Sequence, residues 1–194
     1  LRGFAGFLRA QEQGAWLHAR HDSLADRRIL LLGVGSVGSA IARRLEPFEV
    51  ELTKVGRTAR DGVRVVADLP QLLPDAEVVI LAVPYSAETH RLVDANFLSA
   101  LPDGALVVNV SRGSVVDTDA LIAELESGRL RAALDVTDPE PLPPDHPLWR
   151  VPNVVISPHV GGDTTAFLPR AWRLLQRQVD AFASGARLQN VVAS

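Results

Sequence analysis

Short apolar runs punctuate the chain at residues 29–32 (ILLL), 50–55, 78–83, 106–110, 132–136 and 154–156. Runs of this kind, rather than alternating ones, mark strands covered on both faces. Between several of them the apolar positions fall at helical spacing. Val37, Ala40, Ile41 and Leu45 form one stripe, ending at Pro47. Leu121, Ile122 and Leu125 form another, behind the capping candidates Asp117 and Thr118 and ahead of Gly128. Phe167, Leu174, Leu175, Val179 and Phe182 predict a last helix near 167–184, with Pro169 in its first turn and Gly185 as its stop. Leu1, Phe4, Ala5 and Leu8 predict helix within residues 1–20, starting without an N-cap. Strands alternating with helices predict an α/β fold with a doubly wound parallel sheet and flanking helices.

The segment 137–152 breaks this rhythm. It carries six of the thirteen prolines and is expected to be an irregular loop across the surface. The 194 residues fit one large domain. No repeat or low-complexity tract interrupts them. Methionine is absent, position 1 included, so the chain is expected to be a fragment of something longer, entered partway along its first helix.

Composition narrows the partners. Twenty basic and twenty-three acidic residues give a net charge of -3 with no block of either sign, which points away from nucleic acid and membrane surfaces and toward a small molecule. Zero cysteines exclude disulfides, thiolate metal sites and a cysteine nucleophile. The apolar runs are far shorter than the ~18 residues of a membrane-spanning helix, and the interrupted opening LRGFAGFLRA is not read as a signal peptide. The cytoplasm is the expected compartment.

Gly33-Val34-Gly35-Ser36-Val37-Gly38 matches G-x-G-x-x-G, directly after an apolar strand and at the start of an amphipathic helix. There Gly33 permits the tight turn, Gly35 lets backbone approach a pyrophosphate, and Gly38 allows close helix-to-strand packing. The helix N-terminus offers free N–H groups to the phosphates. The end of the second strand sets the choice of dinucleotide, because a carboxylate there accepts from the ribose 2′-OH of NAD. The chain reads Lys54-Val55-Gly56-Arg57-Thr58-Ala59-Arg60, without an acid. Arg57 and Thr58 suit a 2′-phosphate, with Arg60 more distant, so NADP is favoured over NAD.

Three further segments follow apolar strands and are expected at the same sheet edge: the stretch around Arg112, the stretch from Asp135 through Glu140, and SPHVGGDT (157–164) with His159. With GVGSVG, VPYSAETHRLV (83–93), LPDGALVVNVSRGSVVDTDAL (101–121) and LDVTDPEPL (134–142), these segments resemble, in order, the nucleotide-binding domain of the D-isomer-specific 2-hydroxyacid dehydrogenases. That family includes glyoxylate/hydroxypyruvate reductases and D-lactate, formate and D-3-phosphoglycerate dehydrogenases. The resemblance covers almost the whole chain and implies a Rossmann-like fold.

It further implies that Arg112 binds the substrate carboxylate and carbonyl, His159 exchanges the proton on the substrate oxygen, and Glu140 pairs with His159 and orients its ring. Asp135 is implied to contact the nicotinamide carboxamide. Val83, Pro84, Thr89, Val110, Ser111, His159, Gly161 and Gly162, with Gly33, Gly35, Ser36, Val37 and Gly38, are implied to border the cofactor. No metal is implied. The whole of 1–194 is then a dinucleotide-binding domain, with 1–25 a linker helix from an absent N-terminal substrate domain and 186–194 a C-terminal return segment. The fragment alone is expected to bind dinucleotide and turn over poorly. A homodimer through the first helix and the proline-rich loop is implied as well.

The implied reaction is hydride transfer between NAD(P) and a small 2-oxo or D-2-hydroxy acid, of the glyoxylate or hydroxypyruvate type. Two other readings stay open: a dinucleotide-sensing, corepressor-like regulator, which can retain the same Arg, Glu and His, and a binding module without turnover. Asp117 and Asp163 are expected as helix caps. His18, His21, His90 and His146 are expected as surface or loop residues, and Trp16, Trp149 and Trp172 as packing or subunit-contact residues.

Overall fold

The computed structural model describes residues 1–189 and 191. They fall into two compact units, Leu1–Pro158 and His159–Ser194. The first unit holds the entire sheet: β1 (Arg28–Leu32), β2 (Glu51–Gly56), β3 (Arg64–Val65), β4 (Val78–Leu81), β5 (Leu106–Asn109), β6 (Arg131–Leu134) and β7 (Val154–Ile156). Its helices are α1 (Phe4–Glu12), α2 (Ser36–Leu45), α3 (Leu69–Leu72), α4 (Ala95–Ser99) and α5 (Thr118–Glu126). The second unit holds α6 (Phe167–Ala183).

All seven strands run parallel in the order β3-β2-β1-β4-β5-β6-β7. The chain reverses direction across the sheet between β1 and β4, which is the switch point where open α/β sheets bind ligands. Register puts the strand ends in line. Val55 pairs with Leu32, Leu32 with Leu81, Leu81 with Asn109, Asn109 with Leu134 and Leu134 with Ile156. One row of residues thus crosses six strands, and whatever follows it in sequence emerges along one edge.

Alternation along the strands sorts the core into two layers. Leu30, Leu32, Val79, Leu81, Val107 and Leu134 face a layer closed by Leu69, Leu73, Phe97, Leu98, Leu121 and Leu125. Ile29, Leu31, Val78 and Ile80 face the opposite layer, against Ile41, Ala42 and Leu45 of α2. Only the central strands are buried on both faces, β4 throughout and β1 from Ile29 onward; β5 and β6 alternate buried with half-buried positions. The expectation of doubly covered strands therefore holds at the centre and weakens toward β7.

Most predicted elements appear within a residue or two of their expected bounds. The differences have local causes. Helix α1 stops at Glu12, short of residue 20, because Gly14 takes a φ of 65° and the Ala15 N–H donates to the Ala10 carbonyl at 2.8 Å, a left-handed helix stop. The two-residue β3 has too little apolar content to read from pattern. Asp117 caps α5, accepting from the Ala120 N–H at 3.2 Å. Thr118 instead donates to the Asp138 carbonyl at 2.9 Å. Asp163 is not the cap of α6, which starts four residues later behind Ala166 with no side-chain cap bond. Gly185, at φ 69°, ends α6 as expected. Part of the 186–194 segment lies outside the described residues.

The amino edge of the sheet is tied by charge. Arg27 meets Glu77 at 2.6 Å and Asp22 at 2.9 Å, and Arg131 reaches the same Asp22 at 3.2 Å. The Arg28 N–H donates to Glu77 at 3.1 Å. That backbone bond first, then the Arg27 and Arg28 guanidiniums, holds the Glu77 carboxyl below its usual range against the opposing effect of burial. The folded pKa lies below the unfolded one, so the stabilisation is complete above the unfolded value and is lost as pH falls through the folded value. Glu77→Gln is expected to lower stability at pH 7 by about 1–2 kcal/mol. Its deficit relative to wild type should shrink as unfolding is measured below pH ~4. A deficit independent of pH would refute the ion-pair origin.

Candidate dinucleotide and substrate site

The glycine loop sits at the switch point, between β1 and α2. Gly33 has a φ of 97°, and a Cβ there would stand 2.4 Å from the Ala82 carbonyl oxygen. At Gly38 the same atom would fall 1.8 Å from the Gly33 oxygen, so α2 packs on the loop without room for a methyl group. Gly35 differs: nothing lies within 4 Å of its Cβ position. The fold therefore requires the first and third glycines, while the second leaves an open space in front of α2. Gly35 is the N-cap of α2 and provides no side-chain cap bond, so the first-turn N–H groups, beginning at the exposed Ser36 and Val37, point into that opening. An open cradle at an uncapped helix N-terminus fits a pyrophosphate.

At the end of β2, Arg57 and Thr58 are exposed, and among the described residues Arg57 has neither ion pair nor hydrogen bond. Arg60 is already engaged, donating to the Val34 carbonyl of the glycine loop at 3.2 Å. Past β4, the segment through Val83 and Pro84 turns on Thr89. Its hydroxyl donates to the Pro84 carbonyl at 2.8 Å and accepts from the Ser86 N–H at 2.8 Å. The Thr89 side chain thus shapes the loop that the resemblance implies to border the cofactor.

Asn109, which sequence reasoning passed over, organises the next loop. It is buried, donates to the Arg112 carbonyl at 2.9 Å, and accepts from the Ser111 N–H at 3.0 Å and the Ser111 hydroxyl at 2.7 Å. Ser111 is buried by these bonds, Val110 is partly exposed, and Arg112 projects outward with one N–H donating to the Ser111 carbonyl at 2.6 Å. The only sequence signal for Asn109 is an amide at a strand end, where an apolar run should continue.

Gly113 brings the Arg112 loop against the loop after β6. A Cβ at Gly113 would lie 1.9 Å from the Thr137 oxygen and 2.6 Å from the Asp138 nitrogen. Arg112, Gly113, Ser114, Thr137, Asp138, Glu140 and Tyr85 consequently line one cleft of about 380 Å³, within the range of small-molecule sites. Asp135, one residue beyond the aligned row, accepts from the Ser157 hydroxyl at 2.5 Å. Arg112 and Glu140 thus meet in one cleft, and Asp135 stands on the same edge.

His159, Gly161 and Gly162 belong to the second unit. His159 has a φ of 55°, a left-handed conformation it shares with Asp26, Glu49 and Arg91. Among the other histidines, His146 accepts from the Leu148 N–H at 3.3 Å. His21 packs edge-on against Phe7 with its Nε2 buried and unpartnered, so it is no ordinary surface residue. Trp16, Trp149 and Trp172 are all at least half exposed.

The family model described as "D-isomer specific 2-hydroxyacid dehydrogenase, NAD binding domain" matches residues 1–161. The chain belongs to this family. A glyoxylate reductase of Thermofilum pendens is 37% identical over 169 residues, covering 84% of this chain and 50% of that protein. The human glyoxylate reductase/hydroxypyruvate reductase is 38% identical over 148 residues, covering 73% and 45%. The chain therefore spans about half the length of these curated relatives. Among solved structures, a D-isomer specific 2-hydroxyacid dehydrogenase from Xanthobacter autotrophicus in complex with NADPH and MES superposes with a TM-score of 0.83 at 35% identity, covering 99% of this chain and 81% of that one. The seven-stranded parallel sheet is the NAD(P)-binding, Rossmann-like domain of the 2-hydroxyacid dehydrogenase family.

The three glycines make separable predictions. Gly38→Ala is expected to cost about 1–3 kcal/mol in thermal unfolding through overpacking. Gly35→Ala should leave stability within about 0.5 kcal/mol of wild type while weakening dinucleotide binding, measured by NADPH fluorescence titration, at least about tenfold. Full NADPH affinity in Gly35→Ala would remove the pyrophosphate from this loop.

Proposed function

We propose that the protein is an NAD(P)-dependent oxidoreductase that reduces a small 2-oxo acid, of the glyoxylate or hydroxypyruvate type, to the D-2-hydroxy acid, with this chain as its cofactor domain. The observation that carries the reading is the cleft joining Arg112 and Glu140, on the same sheet edge as the open Gly35 cradle. The reductase names of the relatives support the substrate class.

Bound NAD(P) supplies the hydride. In this reading Arg112 holds the substrate carboxylate through its fork of N–H donors and turns the carbonyl toward the nicotinamide. His159 gives a proton to the carbonyl oxygen on reduction and takes it back on oxidation, with Glu140 orienting its ring. Asp135 fixes the carboxamide. Pro84, Val83, Thr89, Val110, Ser111, Gly161 and Gly162 border the ring and its ribose.

NADP is the favoured cofactor, supported by the absence of an acid among residues 57–60 directly after β2, by the uncommitted Arg57, and by the NADPH in the Xanthobacter relative. A homodimer through α1 and the proline-rich loop is supported by the exposure of Phe4, Leu8 and Trp149. A cytoplasmic location belongs to the same reading; among the described residues no helix is long and apolar enough to cross a membrane.

His159→Ala in the full-length gene product is expected to lower kcat for glyoxylate reduction by about 10²–10⁴ while the Kd for NADPH stays within about twofold. Undiminished turnover would reject His159 as the proton carrier. Arg57→Asp should reduce the ratio of kcat/KM with NADPH to that with NADH at least about tenfold. An unchanged ratio would refute the phosphate contact.

A further inference from the structure

Tyr85 is the only aromatic side chain lining the Arg112 cleft, and nothing above gives it a role. It is a large ring left 57% exposed in a segment that does not need it for the core. It is nevertheless held. Pro84 on one side and Ser86 on the other are both bonded to the Thr89 hydroxyl, so the backbone that presents Tyr85 is closed at its base. The ring also leans edge-on against His90, with centroids 6.1 Å apart and planes at 84°. The turn fixes the backbone from which the ring projects, and the edge contact with His90 gives the ring a neighbour on one side, so it stands at the cleft as a wall.

The rest of the cleft is polar. Arg112 is its one cation; Asp138 and Glu140 are its acids, and Thr137 spends its hydroxyl on the Pro139 carbonyl at 2.8 Å. In a 2-oxo acid whose carboxylate pairs with Arg112, the part that varies is the side chain carried on C2, which glyoxylate lacks, and Tyr85 is the one large apolar surface in the cleft available to receive it. We propose that Tyr85 is a specificity-determining residue: its ring is the wall against which the side chain on C2 of the substrate packs, admitting unsubstituted and short-chain 2-oxo acids and excluding branched ones. This rests on the 2-oxo acid reductase reading and adds to it the residue that sets chain length.

The test uses the full-length gene product as wild type, Tyr85→Phe, Tyr85→Leu and Tyr85→Ala. The readouts are kcat/KM with NADPH for glyoxylate, pyruvate and 4-methyl-2-oxopentanoate, the Kd for NADPH, and the Kd for oxamate, which needs no turnover. Tyr85→Ala is expected to raise the 4-methyl-2-oxopentanoate to glyoxylate ratio by about 10–100-fold, the scale of one or two methylenes in a pocket, with NADPH binding within about twofold. Tyr85→Phe should keep the wild-type ratio, because the ring and not the hydroxyl is the wall. Tyr85→Leu should fall between, and it carries the test alone if the alanine variant does not fold. A ratio within twofold of wild type in both the leucine and alanine variants, in an enzyme that reduces glyoxylate, overturns the role of Tyr85 and leaves the reductase reading standing. A wild-type protein that binds NADPH but neither binds oxamate nor reduces any of the three acids overturns both.

Discussion

The missing methyl group at Gly38 is the constraint on which the site depends. Because α2 lies directly on the Gly33 carbonyl, its N-terminus is fixed in angle and depth against β1, and its free N–H groups face one small volume in front of Gly35. The same device recurs at Gly113, whose close approach to Thr137 joins the loops after β5 and β6. Two steric contacts, each too tight for any side chain, thus shape the open cradle at Gly35 and the Arg112 cleft on a common edge. Side chains of ordinary size at either position would separate the layers, and no surface charge would draw them back.

Parallel strands in aligned register do the rest. The row from Val55 to Ile156 gives every following loop the same starting line, so residues as distant in sequence as Arg57, Arg112 and Asp135 start from one edge. The two edges divide the labour. The amino edge is knitted by Asp22, Arg27, Glu77 and Arg131, whose charges satisfy one another. The carboxyl edge leaves Arg57, Arg112 and Glu140 exposed, with the Arg112 loop held by neutral bonds from Asn109 and the Glu140 loop by those of Thr118 and Thr137. Rigid backbone carrying exposed charge suits a site that must bind an anion without reorganising.

Local signals carried much of this. Apolar runs marked six of seven strands, and the G-x-G-x-x-G spacing together with SRG, LDVTDPEPL and SPHVGG identified the family. The unread parts involve partners distant in the chain. That Gly113 is required by Thr137, that Thr118 serves Asp138 rather than its own helix, and that Tyr85 shares a cleft with Arg112 all depend on contacts between loops from different strands. Asp163 misled because a cap residue ahead of a helical stripe is a sound local pattern, yet α6 starts later, behind Ala166. Gly14 was legible in principle, since a glycine at the end of a helical stripe is a stop signal.

The central claim is that this chain holds a dinucleotide with its pyrophosphate at Gly35 and the α2 N-terminus. Titrating NADPH into the isotopically labelled chain and following backbone amide resonances tests it most directly. The account predicts that the Gly35, Ser36 and Val37 amides shift in a saturable way while Arg28 and Glu77, at the opposite edge, do not. Saturable shifts confined to the Arg28 and Glu77 edge, or none at Gly35, Ser36 and Val37 at NADPH concentrations that saturate relatives of this family, would contradict it.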